Sequence, residues 1–474
     1  MPPGNGHRVK IVLADVHGPV CGKDQPSANL SLLYLASWAR KVLTGLQFTY
    51  IPQRVSREDH LRQVVDLNPD VYAISFTSFS ARVACSLVDE VRRLQPDCLI
   101  VVGGAHANSH AQQLLERTAA DLCVIGEGEE TFAEVLASLD DIKARRASID
   151  GLAYLQDGAF VRTTPRSMIA DIDSIPFPAR DLVRQEDFTG ISYSVAQPNT
   201  EVVTTRGCPL RCTFCANPVF RDRTGPPFRS RSPEQICREV DQLYAAGYRE
   251  IYFHSDEINV DGQWMLDLCE ALTRLGHADM HFQTNLRAVP MNEELAGALA
   301  RAGFWLVRMG IESANPRVLK GIRKMVALSD IENACRTLAD SGLVVFAFLM
   351  MFNVWEEDGE LCYETPDEVR NTLRFVDGLR SDRVLHLTSW QVATPTPGAE
   401  MYDIASRHGL ITPDYLPDEP WFPYEHLDGV SRLDYKLLLA RARWQTAGCA
   451  LSEGVVEWKN WRRIVSKSKA MIGM

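Results

Sequence analysis

No apolar run in this 474-residue chain approaches the roughly 18 residues that a membrane-crossing helix needs. The longest candidate, Leu343–Phe352, is only of strand length. Met1–Lys10 is polar and basic and lacks the apolar segment of a secretory signal, so a cytoplasmic location is expected. Positive charge is in deficit as well: 50 Lys and Arg against 61 Asp and Glu leave a net charge of −11. That balance excludes a general nucleic-acid binder, because phosphates are met by a basic surface. Short repeats and low-complexity tracts are missing. Cysteine is plentiful, at 12 residues, but a cytosolic chain of this size does not use scattered thiols as a disulfide framework. Only Cys208, Cys212 and Cys215 cluster; the others stand apart, mostly in apolar stretches that suit small core residues.

A hydrophobic content of 46% and a charged content of 23% are ordinary for a globular protein, and the length suits two domains. Strand-like runs alternate with helical patterns, the mark of α/β architecture. The first series reads Val9–Leu13, a helix over Leu32–Leu43, Phe48–Ile51, Val71–Ser75, a helix over Ala81–Leu94, Leu99–Val102, Leu122–Ile125 and a helix over Glu130–Leu139. It predicts a doubly wound, Rossmann-like domain over residues 8–145. A hairpin over Gly151–Arg162 and the Pro-punctuated stretch Asp171–Arg180 predict a connecting segment over 146–195. The second series occupies 196–400, with strands at Val202–Thr205, Glu250–His254, Met280–Thr284, Trp305–Gly310, Leu343–Met351 and Arg383–Ser389. Helices follow at Pro233–Ala246, Gly262–Leu275, Glu293–Ala302, Ser329–Ser341 and Asp367–Gly378, which predicts a partial (β/α)6 barrel. Chemistry in such barrels gathers at the C-terminal ends of the strands. A Trp-rich helical tail is expected over 401–474.

The segment Arg206-Gly-Cys-Pro-Leu-Arg-Cys-Thr-Phe-Cys215 directly follows the first barrel strand. Cysteine thiolates are the ligands of iron–sulfur clusters, and the C-x3-C-x2-C spacing offers three from one loop. A four-iron cubane then keeps one iron without a protein ligand, open to bind and reduce a substrate. Zinc wants a fourth Cys or His in a paired format nearby, and none follows at suitable spacing. With aromatic Phe214 ahead of the last cysteine, the loop resembles the signature of the radical S-adenosylmethionine (SAM) superfamily. That resemblance implies a [4Fe–4S] cluster on Cys208, Cys212 and Cys215, with SAM chelating the open iron. It also implies reductive cleavage of SAM to methionine and a 5′-deoxyadenosyl radical that abstracts hydrogen from carbon.

Later strand ends fall where the family contacts SAM. His254-Ser-Asp-Glu257 stands at the place of the family's Gly-Gly-Glu-like turn, so Asp256 or Glu257 is expected to pair with the methionine ammonium, with a helix N-cap as the bland alternative. Arg287 could hold the SAM carboxylate. Gly310-Ile-Glu-Ser313 matches the family's "GIES" segment, making Glu312 and Ser313 candidate ribose or methionine contacts; a structural pair of Glu312 with Lys320 or Lys324 is the alternative. Trp390 is expected either to border adenine or to be a plain core residue. Where relatives commonly carry Gly-x-Pro-Gly-Glu-Thr, an acidic insertion with Glu356, Glu357, Asp358 and Glu360 intervenes before Glu364-Thr365. It would either receive an amino-bearing substrate or form a solvated charge run.

The N-terminal series resembles the cobalamin-binding domain of one large branch of that superfamily. The resemblance rests on Asn29–Ala36, Ser75-Phe-Thr77, Val102-Gly-Gly104, Ile125-Gly-Glu-Gly-Glu-Glu-Thr131 and the connector Asp173–Pro178. Small residues at strand ends let the backbone approach a flat corrin, which makes Ser75, Gly103, Gly104 and Gly126 candidate contacts. Asp15-Val-His17 is half of a lower-axial motif whose final glycine is Val20 here, so His17 is either a cobalt ligand or an ordinary loop histidine. The branch includes proteins that keep the domain without the cofactor, and cobalamin is left open. The compact tail and acidic insertion favour radical dehydration or rearrangement of an aminosugar or similar polar intermediate, as in antibiotic biosynthesis. Cobalamin-dependent C-methylation is the alternative, and a non-catalytic cobalamin or Fe–S sensor is disfavoured by Glu257, Arg287 and Glu312. The implied partners are a small-molecule substrate and an electron donor such as flavodoxin or ferredoxin.

Overall fold

The computed structural model describes residues 8–16, 27–188, 190–191, 193–217 and 225–452, which divide into two compact units. In the first unit, β1 (Val9–Asp15), β2 (Leu46–Ile51), β3 (Val71–Ser75), β4 (Leu99–Gly103) and β5 (Leu122–Val124) form a parallel sheet in the order β2-β1-β3-β4-β5. Helices α1 (Leu30–Val42), α2 (Arg57–Leu67), α3 (Ala81–Leu94), α4 (Ala105–Arg117) and α5 (Glu129–Ala137) alternate with them. The apolar face of α3 shows why: Ala84, Leu87, Val88 and Val91 recur at helical spacing and are buried. Strand order reverses between β1 and β3, and in sheets of this kind ligands settle at such a switch point, beyond the carboxyl ends of the strands.

One boundary differs from the expectation. The hairpin β6 (Leu152–Gln156) and β7 (Ala159–Arg162) is not part of a connector; it extends the first sheet, with Cys123 of β5 paired antiparallel to Ala153. Leu152, Ala153 and Tyr154 are buried, and the hairpin covers an edge that β5 would otherwise leave unpaired.

The second unit holds a six-stranded parallel sheet: β8 (Asn199–Val203), β9 (Glu250–His254), β10 (His281–Leu286), β11 (Phe304–Glu312), β12 (Val344–Met351) and β15 (Leu387–Val392), each beside its predecessor. Between β12 and β15 lie the antiparallel strands β13 (Val354–Glu357) and β14 (Glu360–Tyr363). The longer helices are α6 (Pro233–Ala245), α7 (Gly262–Leu275), α8 (Glu293–Arg301), α9 (Pro316–Gly321), α10 (Leu328–Asp340), α11 (Pro366–Ser381), α12 (Glu400–Arg407) and α13 (Arg432–Ser452). Ser232, Asp261 and Asn292 cap the first three by accepting N–H bonds from Gln235, Trp264 and Leu295. Strand residues alternate: Ile251, Val307, Val345 and Ala347 are buried among the helices, while Tyr252, Arg308 and Phe346 lie on the other face. Arg308 of β11 reaches across β10 to the ring of Tyr252 on β9, a contact that belongs to the concave side of a curved sheet. The described part of the stretch after residue 400 is no detached tail. Met401, Ile404, Leu438 and Ala442 join the barrel core, and Gln445 of α13 donates to the carbonyl of Leu373.

Among the described residues, no helix is long and apolar enough to cross a membrane.

Candidate functional site

The cysteine loop leaves β8 toward the C-terminal rim. Gly207 has φ +82, and a Cβ there would collide with the carbonyl oxygen of Pro227, so only glycine fits the turn that delivers Cys208. Its N–H donates to Asp256 Oδ2 at 3.1 Å. The loop is fastened twice more, by Thr213 N–H to the Ile322 carbonyl (3.1 Å) and by Met401 N–H to the Thr213 carbonyl (2.8 Å). Cys208 is buried and Cys212 and Cys215 are half-buried. Burial pushes the Cys208 thiol up to about 11, with further contributions from Glu257, Asp256 and Cys215. Burial also raises Cys212, which feels Lys324, Glu312, Arg287 and Glu257. Cys208 and Cys212 therefore share Glu257 as a neighbour, and Cys215 lies close to Cys208.

Those groups separate into distinct roles. Asp256 is committed to the cysteine loop through Gly207. Glu257 has a buried Oε2 with no hydrogen-bond partner, and burial, only partly offset by Lys324 and Arg287, lifts its carboxyl to about 7. A buried carboxylate oxygen without a donor is costly, and a ligand ammonium would satisfy it. Arg287 is buried; its backbone N–H donates to Asn259 Oδ1 (2.8 Å), and its Nη2 donates to the carbonyls of Lys324 (3.2 Å) and Met325 (3.3 Å). Glu312 stands at φ +64, where a register shift interrupts the β11–β12 ladder after Gly310. Its Oε1 accepts from Lys324 Nζ at 3.0 Å, the pair lying over Gly310, where a Cβ would sit 2.6 Å from Nζ. Burial works to lower the Lys324 pKa, but Glu312, Glu257 and Cys212 together hold it above its ordinary value.

Two predicted contacts are not brought to this cluster. Ser313 is buried and donates to Glu364 Oε1 (2.7 Å), within a network that includes Asn353, Asn315 and Thr372. The bulge before Glu312 turns that carboxylate toward Lys324 and leaves Ser313 in the interior. Trp390 is a core residue whose Nε1 donates to Gln445 Oε1 at 2.8 Å. The acidic insertion forms the β13–β14 hairpin. Glu356 accepts from Arg407 and His408 at 3.0 Å each, and Glu357 pairs with Lys320 at 3.5 Å, so two of its four carboxylates already have cations of this chain. The sequence does not mark Asn259 as a site residue, and it offers Lys324 only as an alternative partner for Glu312.

In the first unit, Asp15, Ser75 and Gly103 are in register across β1, β3 and β4, forming one line at the carboxyl edge. Gly104 and Gly126 follow β4 and β5, both at φ +95. Tyr50 Oη donates to Asp15 at 2.8 Å, fixing the carboxylate at the switch point. His17 lies outside the described residues.

Residues 202–376 match the profile of the Radical SAM superfamily, and residues 24–136 match that of the B12 binding domain. The fold and the site define a radical SAM enzyme. More narrowly, the chain belongs to the branch that carries a B12-binding domain ahead of the barrel. An uncharacterised methyltransferase of Pyrococcus horikoshii is 27% identical over 416 residues, covering 86% of this chain and 83% of the relative. The anaerobic magnesium-protoporphyrin IX monomethyl ester cyclase of Cereibacter sphaeroides is 26% identical over 420 residues; 83% of this chain is covered, but only 64% of the cyclase. Among solved structures, the methyltransferase TsrM from Kitasatospora setae, with cobalamin and a [4Fe–4S] cluster bound, gives a TM-score of 0.70 at 18% identity, covering 98% of this chain and all of that one. The cobalamin-dependent SAM radical enzyme OxsB with aqua-cobalamin gives 0.72 at 19% identity, over 98% of this chain and 72% of its own. Superfamily membership implies a [4Fe–4S] cluster and SAM. The residues present fit both: three thiols on one fastened loop, an orphaned carboxylate oxygen for an ammonium, and two buried cations, Lys324 and Arg287, for a carboxylate.

Proposed function

We propose that this protein is a cobalamin-dependent radical SAM methyltransferase acting on a small molecule. The observation that carries the reading is the pairing, in one chain, of the cysteine loop and its Glu257–Lys324–Arg287 cradle with a switch-point edge lined by Ser75, Gly103 and Gly126. The similarity to a methyltransferase over 86% of the chain supports methyl transfer over the dehydration or rearrangement that the compact tail favoured. When bound, the cluster supplies the electron that cleaves SAM, and cobalamin supplies a methyl carrier. The chain's own residues do the holding. Cys208, Cys212 and Cys215 ligate the cluster, Glu257 receives the SAM ammonium, and Lys324 with Arg287 receives its carboxylate. Asp256 and Asn259 act behind them, fixing the cysteine loop and the Arg287 turn. The small residues of the first unit leave its strand ends open to a corrin. A one-electron donor such as flavodoxin or ferredoxin supplies the reductant, in the cytoplasm.

Anaerobic incubation of cluster-loaded protein with SAM, added cobalamin and reductant tests the reading. The expected products are S-adenosylhomocysteine together with 5′-deoxyadenosine; 5′-deoxyadenosine and methionine alone would overturn methyl transfer in favour of rearrangement.

A further inference from the structure

The concave face of the second sheet carries an ionisable pair that the SAM cradle does not use. Glu201 of β8 and Tyr252 of β9 are partners in register, and His254 is two residues further along β9, on the same face. His254 Nδ1 lies 3.2 Å from Glu201 Oε2. The imidazole side chain is 55% exposed, against 15% for Glu201, so the acid sits behind the ring and the ring faces outward. A carboxylate bonded to Nδ1 fixes the orientation of the ring and leaves Nε2 to meet a ligand. Nε2 has no hydrogen-bond partner among the described residues.

Two charged groups, Glu201 and Asp256, set the charge of this ring, and Tyr252 and Arg308 stand beside them. Glu201 faces it from β8, Asp256 and Tyr252 flank it on its own segment, and Arg308 of β11 lies over the Tyr252 ring at 4.7 Å. The protein packed against one side of the ring works to lower the His254 pKa, but the hydrogen bond and charge of Glu201, with the charge of Asp256, outweigh it and hold the imidazole above 6.5. The ring therefore keeps its proton to a higher pH than an unpaired imidazole does.

An apolar surface lies on the same face three strands away, on β12. Phe348 of β12 is paired with Gly310 of β11, is 36% exposed, and stacks edge-on against Phe346 at 5.1 Å. An exposed phenyl ring on the inner face of a barrel strand has a hydrophobic surface still to cover. Gly310 also underlies the Glu312–Lys324 pair, which places this wall one strand from the SAM cradle.

We propose that His254, oriented by Glu201, anchors the carboxylate of a small substrate whose apolar body lies against Phe348. An exposed imidazolium matches a monoanion; Arg308, a second cation on this face, is buried over the Tyr252 ring. This inference rests on the barrel being the reaction chamber, but not on methyl transfer. It also replaces the amino-bearing substrate read from the acidic insertion, where Glu356 and Glu357 are already paired.

Calorimetric titration of the cluster-loaded full chain tests it, with SAM present to fill the methionine-carboxylate site and no reductant. Phenylacetate is the probe and neutral phenylacetamide the control. Phenylacetate is expected to bind at least tenfold more tightly than the amide, and His254→Gln to bring it down to the amide's level. In Glu201→Gln, which keeps the imidazole, loss of phenylacetate binding with rising pH should occur at a lower pH than in the parent. Equal binding of acid and amide, undiminished acid binding in His254→Gln, or an unmoved pH limit in Glu201→Gln would overturn the assignment. No turnover is measured, so the result stands apart from the S-adenosylhomocysteine test.

Discussion

Glu312 holds a left-handed backbone conformation, which costs a non-glycine residue about 1–3 kcal/mol and persists only where its surroundings enforce it. Lys324 is the enforcing partner, and it is itself flanked by Arg323 and Met325, both at positive φ. Removing one member of a buried ion pair leaves the other uncompensated, at a cost of about 3–5 kcal/mol. Lys324→Met is therefore expected to destabilise the protein by that amount in urea unfolding, and Glu312→Gln combined with Lys324→Met to recover more than half of it; independent, additive losses would show that the pair is not coupled. Glu257, Arg287 and Glu312 were legible as candidates because each lies at or just beyond the end of a barrel strand, where such barrels do chemistry. Lys324 was legible only as a partner for Glu312, because it comes from an irregular turn after α9 that no periodicity marks. Ser313 lies away from the cluster and Trp390 takes the core place that the sequence offered as its alternative: proximity to a strand end was legible, but the bulge and the α13 packing that turn them inward were not.

The β13–β14 hairpin ends at Glu364, a buried carboxyl that accepts hydrogen bonds from Ser313 and from the backbone and side chain of Asn353. Burial lifts it to about 7, above the ordinary 4.5, despite those three donors. The folded state thus binds a proton that the unfolded chain has released between about pH 4.5 and 7. Stability contributed by this group is full below that window and falls as pH rises through it, by roughly 3 kcal/mol in all. Glu364→Gln can accept from Asn353 and donate to Ser313, so it keeps the network without the titration. Unfolding at pH 5 and pH 8 should show the drop in the parent and a smaller one in the variant; identical drops would mean that Glu364 is ionised in the fold at pH 5. At this scale most elements were legible, and Val71–Ser75, Ala81–Leu94, Glu250–His254 and Gly262–Leu275 have the bounds read from sequence. Helices α2 and α4 were not. In α2 only His60 and Val64 are buried, which leaves no apolar stripe, and α4 is broken at His110.

Each unit has its own buried core, one built on Val12, Ile74, Val88 and Val102, the other on Ile251, Val307, Val345 and Leu373. The residues that fasten the cysteine loop, Asp256, Ile322 and Met401, all belong to the second unit, and the Ser75–Gly103 edge belongs to the first. Two-domain organisation was legible from the two α/β series, whereas the hairpin's membership of the first sheet was hidden because a short alternating strand pair reads the same whether it joins a sheet or a linker. Separate cores and separate cofactor residues predict separate loading. Cys212→Ala removes a half-buried thiol and no packing anchor, so the fold should persist while iron and sulfide content and 5′-deoxyadenosine formation are lost. Under the cobalamin-dependent reading, the same variant should still take up hydroxocobalamin within about twofold of the parent, read from its visible spectrum. Retained SAM cleavage would refute Cys212 as a cluster ligand. Cobalamin lost along with the iron would show instead that the corrin is held only when the cluster is in place, and that the two cofactor residue sets are coupled despite their separate cores.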